Sequence, residues 1–156
     1  MHELLRLAGY FAAHQIRNLR NLSDGEILFP MHGYEDADGH QGMICFVGEF
    51  DRDVLATNEQ GAQRGVLLVD GYVTLEAGKF DALIVEAVEY GPDQASLTIA
   101  VPYHPPASPG GFAVHRPRFF KLSGVDRAGL SEAFFAGVDT HPEAAEVWNA
   151  HRDDSV

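Results

Sequence analysis

From residue 26 to residue 122 the chain alternates short apolar runs with turn-forming residues, and this pattern constrains the fold more than any other feature. The Asp70-Gly71 pair is typical of a two-residue hairpin turn, because glycine tolerates the positive φ that such a turn needs. Strands that follow one another through tight turns pair as an antiparallel sheet. We predict about five or six strands with hairpin or meander connections, drawn from residues 26–35, 42–49, 66–69, 72–75, 80–90, 95–103 and 112–122.

Helical spacing of apolar residues brackets this β region. Residues 3–22 and 127–138 each place their apolar side chains on one helical face. A further helix is predicted to begin at Thr140, because Thr140 and Glu143 have the spacing of a capping box. Strands do not alternate with long helices, so a parallel doubly wound sheet is not expected. The predicted fold class is therefore α+β, with one N-terminal helix and two C-terminal helices packed on a single antiparallel sheet.

Length and composition predict one domain. The 156 residues, 46% of them hydrophobic, are enough to bury a core, and no linker-like stretch divides residues 1–156. The single cysteine, Cys45, excludes an intrachain disulfide and zinc sites built on cysteine pairs. Its apolar neighbours Ile44 and Phe46 predict a buried core thiol. Low cysteine content, no signal-peptide pattern and no membrane-spanning run together predict a cytoplasmic location.

The net charge of −12 limits the partners of the protein. A strongly acidic protein repels nucleic acid and anionic membranes, so neither is predicted as a partner. The cations are concentrated in two basic segments, residues 1–22 and 111–122. The acidic remainder of the chain would steer it towards a basic protein partner.

Glu86 interrupts an apolar face of the strand predicted at residues 80–90. A carboxylate in such a place needs a partner or becomes protonated. Plain hairpins on either side of the next strand would pair Glu86 with Ile99, and Ile99 with Arg116. We therefore predict a Glu86–Arg116 contact, which a one-residue slip in register would abolish. The favoured interpretation is a structural ion pair or a rim carboxylate, and the alternative is a catalytic acid.

Polar and basic residues collect at the two ends of a loop rich in proline and glycine, residues 104–111. Arginine forks with a histidine and a tyrosine hydroxyl suit a carboxylate or phosphate ligand. The alternative interpretation is that these cations only balance surface acids. The candidate ligand-binding residues are Tyr103, His104, Arg116, Arg118 and Lys121, and His115 joins Glu86 as a candidate catalytic acid–base.

A metal site is considered at His32, Glu35 and His40, because two imidazoles and a carboxylate can hold zinc or iron. The eight histidines are scattered, however, and no pair has the spacing of ligands on a helix. Surface histidines are the favoured interpretation. We therefore predict no metal and no cofactor.

Two classes of function remain. The sequence has no nucleophile elbow, phosphate-binding loop or zinc-protease motif. A non-catalytic binding protein, for a protein partner or a small anionic ligand, is therefore favoured. The alternative is a small enzyme in which Glu86 or His115 is the acid–base, while Arg116 and Arg118 hold an anionic substrate.

The first predicted helix is apolar over a wide arc, since Leu5, Leu7 and Tyr10 add to the face that would pack on the sheet. A second subunit related by two-fold symmetry would cover this excess. A homodimer is therefore predicted.

Overall fold

The computed structural model describes residues 2–156 and confirms the α+β prediction. A single sheet follows an N-terminal helix and precedes two C-terminal helices. The elements in chain order are α1 (His2–Arg20), β1 (Met31–Glu35), β2 (Gln41–Cys45), α2 (Val54–Thr57), β3 (Arg64–Leu75), β4 (Gly78–Glu89), β5 (Ala95–His104), β6 (Ala113–Val114), β7 (Arg118–Ser123), α3 (Leu130–Asp139) and α4 (Pro142–His151).

The seven strands form one sheet in which every strand pairing is antiparallel. The order across the sheet is β2-β1-β3-β4-β5-β6, and β7 also pairs with β5. Strand β2 therefore forms one edge of the sheet, and β6 and β7 share the other edge. The long strands β3 and β4 lie at the centre.

Helix α1 is buried between the sheet and the C-terminal helices. Its backbone approaches α3 so closely that a Cβ on Gly9 would lie 1.9 Å from the Phe134 carbonyl oxygen. Leu5 and Leu7, which suggested a dimer face, are only 1% and 2% exposed within this chain. The feature from which we predicted a homodimer is thus explained inside one subunit. No helix within residues 2–156 has the length and apolar character to cross a membrane.

Strand β3 runs without a break through Asp70 and Gly71, so the predicted hairpin turn at this pair is wrong. The turn lies at residues 76–77, where Leu75 pairs with Gly78, whose φ is +130°. Gly71 has a packing role instead, because a Cβ there would lie 3.1 Å from Cγ1 of Ile84 on β4. At this position glycine leaves room for the Ile84 side chain.

The hairpin between β4 and β5 is one residue out of the predicted register. Its connection takes up residues 90–94, one residue more than predicted, so Glu86 pairs with Thr98. Phe120 of β7 stands opposite Thr98 on the far side. Glu86 is exposed on the sheet face away from α1. The predicted Glu86–Arg116 contact is therefore wrong.

Two local predictions also need correction. Cys45 is exposed rather than buried, because it lies on the edge strand β2. Helix α4 is capped by His141, whose Nδ1 accepts from the Ala144 amide at 3.4 Å. The Thr140 hydroxyl instead donates to the Gly137 carbonyl oxygen at 2.6 Å. The predicted capping box is thus replaced by an imidazole cap.

Candidate functional site

A groove lined by three arginines lies where the β6–β7 edge of the sheet meets α3 and the end of α4. It encloses about 490 Å³. Residues from three parts of the chain form its walls, and none of the lining residues is acidic. The residues of this arginine groove are Arg116, Pro117, Arg118, Phe119, Ser131, Phe135 and Arg152.

Backbone contacts bring Arg152 to the groove. The Asp153 amide donates to the Val114 carbonyl oxygen at 2.8 Å, and Val114 and Arg152 form a parallel bridge. The Arg152 guanidinium also lies over the Phe135 ring, 4.7 Å from its centroid. Residues that follow α4 are therefore fixed against the end of the sheet, and they supply the third arginine.

The three arginines differ in how their charges are compensated. Nε of Arg152 donates to both carboxylate oxygens of Asp154, at 3.1 and 2.9 Å. Nε of Arg116 donates to the Val156 carbonyl oxygen at 3.0 Å, and Nη1 of Arg118 donates to the Arg116 carbonyl oxygen at 2.9 Å. Within residues 2–156, neither Arg116 nor Arg118 forms an ion pair with an aspartate or glutamate side chain. Their remaining N–H groups are available to an anion.

His104 and His115 form a hydrogen-bonded pair, and neither lines the arginine groove, although His115 directly precedes Arg116 in the chain. Nδ1 of His115 lies 2.9 Å from the Asp153 carbonyl oxygen, and Nε2 of His115 lies 2.9 Å from Nδ1 of His104. A carbonyl oxygen only accepts, so the uncharged His115 ring carries its proton on Nδ1 and accepts at Nε2. His104 then donates from Nδ1, which leaves its Nε2 as a free acceptor. The two predicted histidines are therefore brought together in a defined order.

Tyr103 belongs to a different site. It lies on the α1 side of the sheet, and its hydroxyl donates to Oδ1 of Asp70 at 2.6 Å. Burial and the adjacent Asp70 carboxylate raise the pKa of Tyr103 well above its ordinary value. Desolvation and the nearby Asp81 carboxylate raise the pKa of Asp70, against the opposing effect of the tyrosine hydrogen bond.

These three residues line an acidic cavity of about 440 Å³ at the end of α1. Asp24 and Glu26 add two more carboxylates, and no lysine or arginine lines the cavity. The Pro-rich loop forms part of its wall, at Pro105 and Pro106. The predicted rim of the Pro-rich loop is thus divided between an acidic cavity and the arginine groove.

The other predicted site residues do not join the arginine groove. Lys121 is not among its lining residues, and it has a φ of +51° where the β5–β7 register shifts. Glu86 lines a separate groove with Tyr90 on the opposite face of the sheet. The His115 ring lies 5.6 Å from the Phe80 ring, and six residues of β4 at about 3.3 Å each place Glu86 roughly 20 Å further along the strand. Glu86 and His115 therefore do not share one acid–base site.

His32, Glu35 and His40 do not come together as metal ligands. The His32 ring is buried at 1% exposure on the sheet face opposite the Glu35 side chain, which pairs with Arg64. His40 lies at the exposed hairpin tip with Asp36 and Asp38. There Oδ1 of Asp36 accepts the amides of residues 38 and 40, which explains the arrangement as a side-chain-stabilised turn.

Arg152, Asp70 and Asp81 lie in these sites although the sequence did not indicate them. Arg152 follows a helix end in a charged stretch, and only the bridge to Val114 reveals its position. Comparison with protein-family models, curated proteins and solved structures finds no match to this chain. Functional proposals therefore depend on the geometry of its own residues.

Proposed function

We propose that this protein is a non-catalytic binding protein that holds a small anion in the arginine groove. The observation that carries the proposal is the convergence of Arg116, Arg118 and Arg152 on one groove without an acidic lining residue. Guanidinium forks match the oxygen geometry of carboxylate and phosphate groups. The Ser131 hydroxyl adds one neutral donor.

The distribution of charge supports this proposal. The chain has 11 lysines and arginines against 23 acids, yet three of its arginines line one groove. Four carboxylates line the acidic cavity instead, so the charges are separated rather than mixed. A separated arginine cluster concentrates positive potential at one place on an acidic protein. A small anion there would gain charge-assisted hydrogen bonds while larger polyanions are repelled by the whole molecule.

The test is a thermal-shift and calorimetric screen against inorganic phosphate, sulfate and succinate. A ligand that binds only the folded state raises the melting temperature with its concentration. For the anion that binds, we expect Arg116→Ala and Arg118→Ala each to lower the affinity by about tenfold or more, because each substitution removes charge-assisted hydrogen bonds. Arg127→Ala is the matched control, since Arg127 is exposed, lies near the start of α3 and does not line the groove.

If Arg127→Ala lowers the anion affinity as much as the groove substitutions do, only net charge matters, and this result would contradict the proposal. Absence of binding by all three anions at millimolar concentration would contradict it as well. Binding that survives both groove substitutions would place the anion elsewhere.

A second candidate function, a small enzyme, is favoured by the His104–His115 pair alone. Its ordered hydrogen bonds leave Nε2 of His104 as a proton acceptor. In that case an anion that binds the groove would be converted, and NMR of the mixture over hours would detect product. A His104→Ala variant that binds the anion but makes no product would favour the enzyme over the binding protein.

A further inference from the structure

The strand β2 is an open edge of the sheet. It pairs with β1 on one side, and no strand within residues 2–156 pairs with its other side. The Phe46 amide donates to the Pro30 carbonyl oxygen, and the Asp36 amide donates to the His40 carbonyl oxygen. In an antiparallel ladder every second residue bonds to the neighbouring strand, so Met43 and Cys45 direct their backbone groups away from β1. These groups form a template for another strand.

The opposite edge of the sheet is protected, whereas β2 is not. At that edge Pro117 interrupts the chain between β6 and β7, Lys121 lies where the register with β5 shifts, and Arg152 bridges to Val114. Prolines, lysines, bulges and covering segments are the usual means of preventing unwanted strand addition. Residues 41–45 contain no proline, no lysine and no bulge.

Apolar side chains are exposed along the β2 edge. Met43 is 50% exposed and Val47 is 69% exposed, and Cys45 between them is also exposed. Continuing the β1–β2 register places Phe29, 42% exposed, opposite Val47. Large apolar side chains gathered at one place on a surface mark interaction sites.

A pocket of about 280 Å³ lies beside the edge, between β2 and α1. Tyr10, His14, Met43 and His141 are among its lining residues. Met43 lies on the same sheet face as Gly33, which packs against α1. A strand added to β2 would direct every second side chain to this face, so the pocket can receive one of them.

Acidic residues lie beyond both ends of the apolar stretch. Asp36 and Asp38 precede β2, and Glu49, Asp51 and Asp53 follow it. Arg52 is the only cation among residues 36–53 apart from His40. Opposite charges across an interface fix the register and orientation of a partner, so the acids at both ends select cations at both ends of the added segment.

We propose that β2 binds an extended segment of a partner protein that is apolar in its middle and carries lysine or arginine at both ends. The segment would add as an eighth strand: its backbone would bond to Met43 and Cys45, and its side chains would contact Met43, Val47 and the adjacent pocket. Such strand addition takes affinity from main-chain hydrogen bonds and specificity from side-chain pockets. The proposal does not depend on the arginine groove.

A second copy of this chain fits the edge poorly. Antiparallel pairing of two β2 strands about Met43 would bring the hairpin tip of one copy, with Asp36 and Asp38, near Glu49 and Asp51 of the other. Like charges brought close together disfavour such a pairing. Charge complementarity therefore favours a basic partner over self-association.

The test uses the whole protein and a blocked peptide of alternating valine and threonine with two lysines at each end. The control peptide has glutamates in place of the lysines. We expect fluorescence anisotropy to show binding of the lysine peptide only. Hydrogen exchange should slow at the amides of Met43 and Cys45, while the amides of Gly42 and Ile44 change little because they already bond to β1.

Two sets of variants separate the backbone contribution from the charge contribution. Met43→Pro removes an outward amide without removing a β1–β2 hydrogen bond, and we expect about tenfold weaker peptide binding, whereas Met43→Ala keeps that amide. Asp38→Asn with Glu49→Gln should weaken the lysine peptide several-fold and leave the fold intact, because both side chains are exposed. Glu132→Gln with Glu146→Gln is its control, with the same charge change on exposed helical positions.

Any of four results would overturn the proposal. The first is that the lysine peptide does not bind at submillimolar concentration, and the second is that the glutamate peptide binds as tightly as the lysine peptide. The third is that the peptide slows hydrogen exchange at amides outside β2 and not at Met43 and Cys45. The fourth is that the Glu132→Gln, Glu146→Gln pair weakens peptide binding as much as the Asp38→Asn, Glu49→Gln pair. A concentration-dependent dimer in sedimentation, with the Met43 amide protected in the absence of peptide, would show instead that a second copy occupies the edge.

Discussion

Nε2 of His141 lies 3.1 Å from Nδ1 of His14, where the start of α4 meets the second half of α1. His141 Nδ1 already accepts the Ala144 amide as the helix cap, so the neutral His141 ring carries its proton on Nε2 and donates to His14. The two rings are tilted against each other with centroids 5.3 Å apart. The helix cap depends on an uncharged His141, whose Nδ1 accepts, and the contact between the rings depends on an uncharged His14, whose Nδ1 accepts.

The first prediction is that the free energy of unfolding falls as the pH is lowered from about 7 to about 5. Burial, Arg17 and His141 lower the pKa of His14, and burial and Arg17 lower the pKa of His141. Burial also lowers the pKa of His32. The unfolded chain takes up protons near the ordinary pKa of about 6.5, and the folded chain does so only at lower pH. The contribution of these histidines to the free energy of unfolding is therefore complete above the ordinary pKa and is lost as the pH falls below it.

Urea denaturation at a series of pH values measures this effect. His14→Gln with His141→Asn should reduce the pH dependence, because neither new side chain titrates and asparagine still caps a helix. His2→Gln is the control, since His2 is exposed on α1. A double variant with the same pH dependence as the parent would contradict the assignment to this pair.

The second prediction concerns the contact between α1 and α3. Gly9→Ala should lower the free energy of unfolding by about 2 kcal/mol, because the added Cβ meets a rigid backbone carbonyl and forces the helices apart. This cost exceeds the roughly 1 kcal/mol that alanine gains over glycine within a helix. Gly48→Ala is the control: a Cβ there meets nothing within 4 Å, and we expect a change below about 0.5 kcal/mol. Thermal and chemical denaturation measure both variants.

The fold class follows from the sequence because turn residues and helical periodicity are local signals. The three predicted helices and most of the predicted strands are present for this reason. The Asp70-Gly71 turn was wrong because a local pattern cannot distinguish a turn glycine from one that packs beneath Ile84. Predicting which side chains meet at the site required the correct strand register. One extra residue in the connection at 90–94 was enough to change that register.

Part of the candidate site was predictable and part was not. Arg116 and Arg118 were found from the basic segment that contains them, and both line the arginine groove. Lys121 belongs to the same segment, but it does not line the groove. The position of Arg152 in the groove depends on its bridge to Val114, which lies 38 positions earlier in the sequence. No local sequence pattern encodes such a contact.

The third prediction concerns an ion cluster at the ends of β1, β3 and β4. Arg64 donates to Glu35 and to Glu89, and all three side chains are at most 15% exposed. Arg64→Met should lower the free energy of unfolding by about 3 kcal/mol, because it leaves two partly buried carboxylates without their cation. The triple variant that also carries Glu35→Gln and Glu89→Gln should recover much of this loss. Urea denaturation at pH 7 compares the free energies of unfolding of the two variants and the parent. A value for Arg64→Met within about 1 kcal/mol of the parent would contradict the prediction.

The last prediction concerns the pair Tyr103 and Asp70. Tyr103→Phe removes the hydroxyl that donates to the Asp70 carboxylate, so the pKa of Asp70, already raised by desolvation and Asp81, should rise further. Asp81→Asn should shift the pKa of Asp70 in the opposite direction, because it removes a neighbouring negative charge. A raised folded pKa stabilises the protein below the ordinary pKa of an aspartate, and this contribution is lost as the pH rises through the folded value. Carbon-detected NMR titration measures the shifts, with Tyr72→Phe as the control because the Tyr72 side chain is largely exposed. If both substitutions move the pKa of Asp70 in the same direction, the electrostatic account of the acidic cavity is wrong.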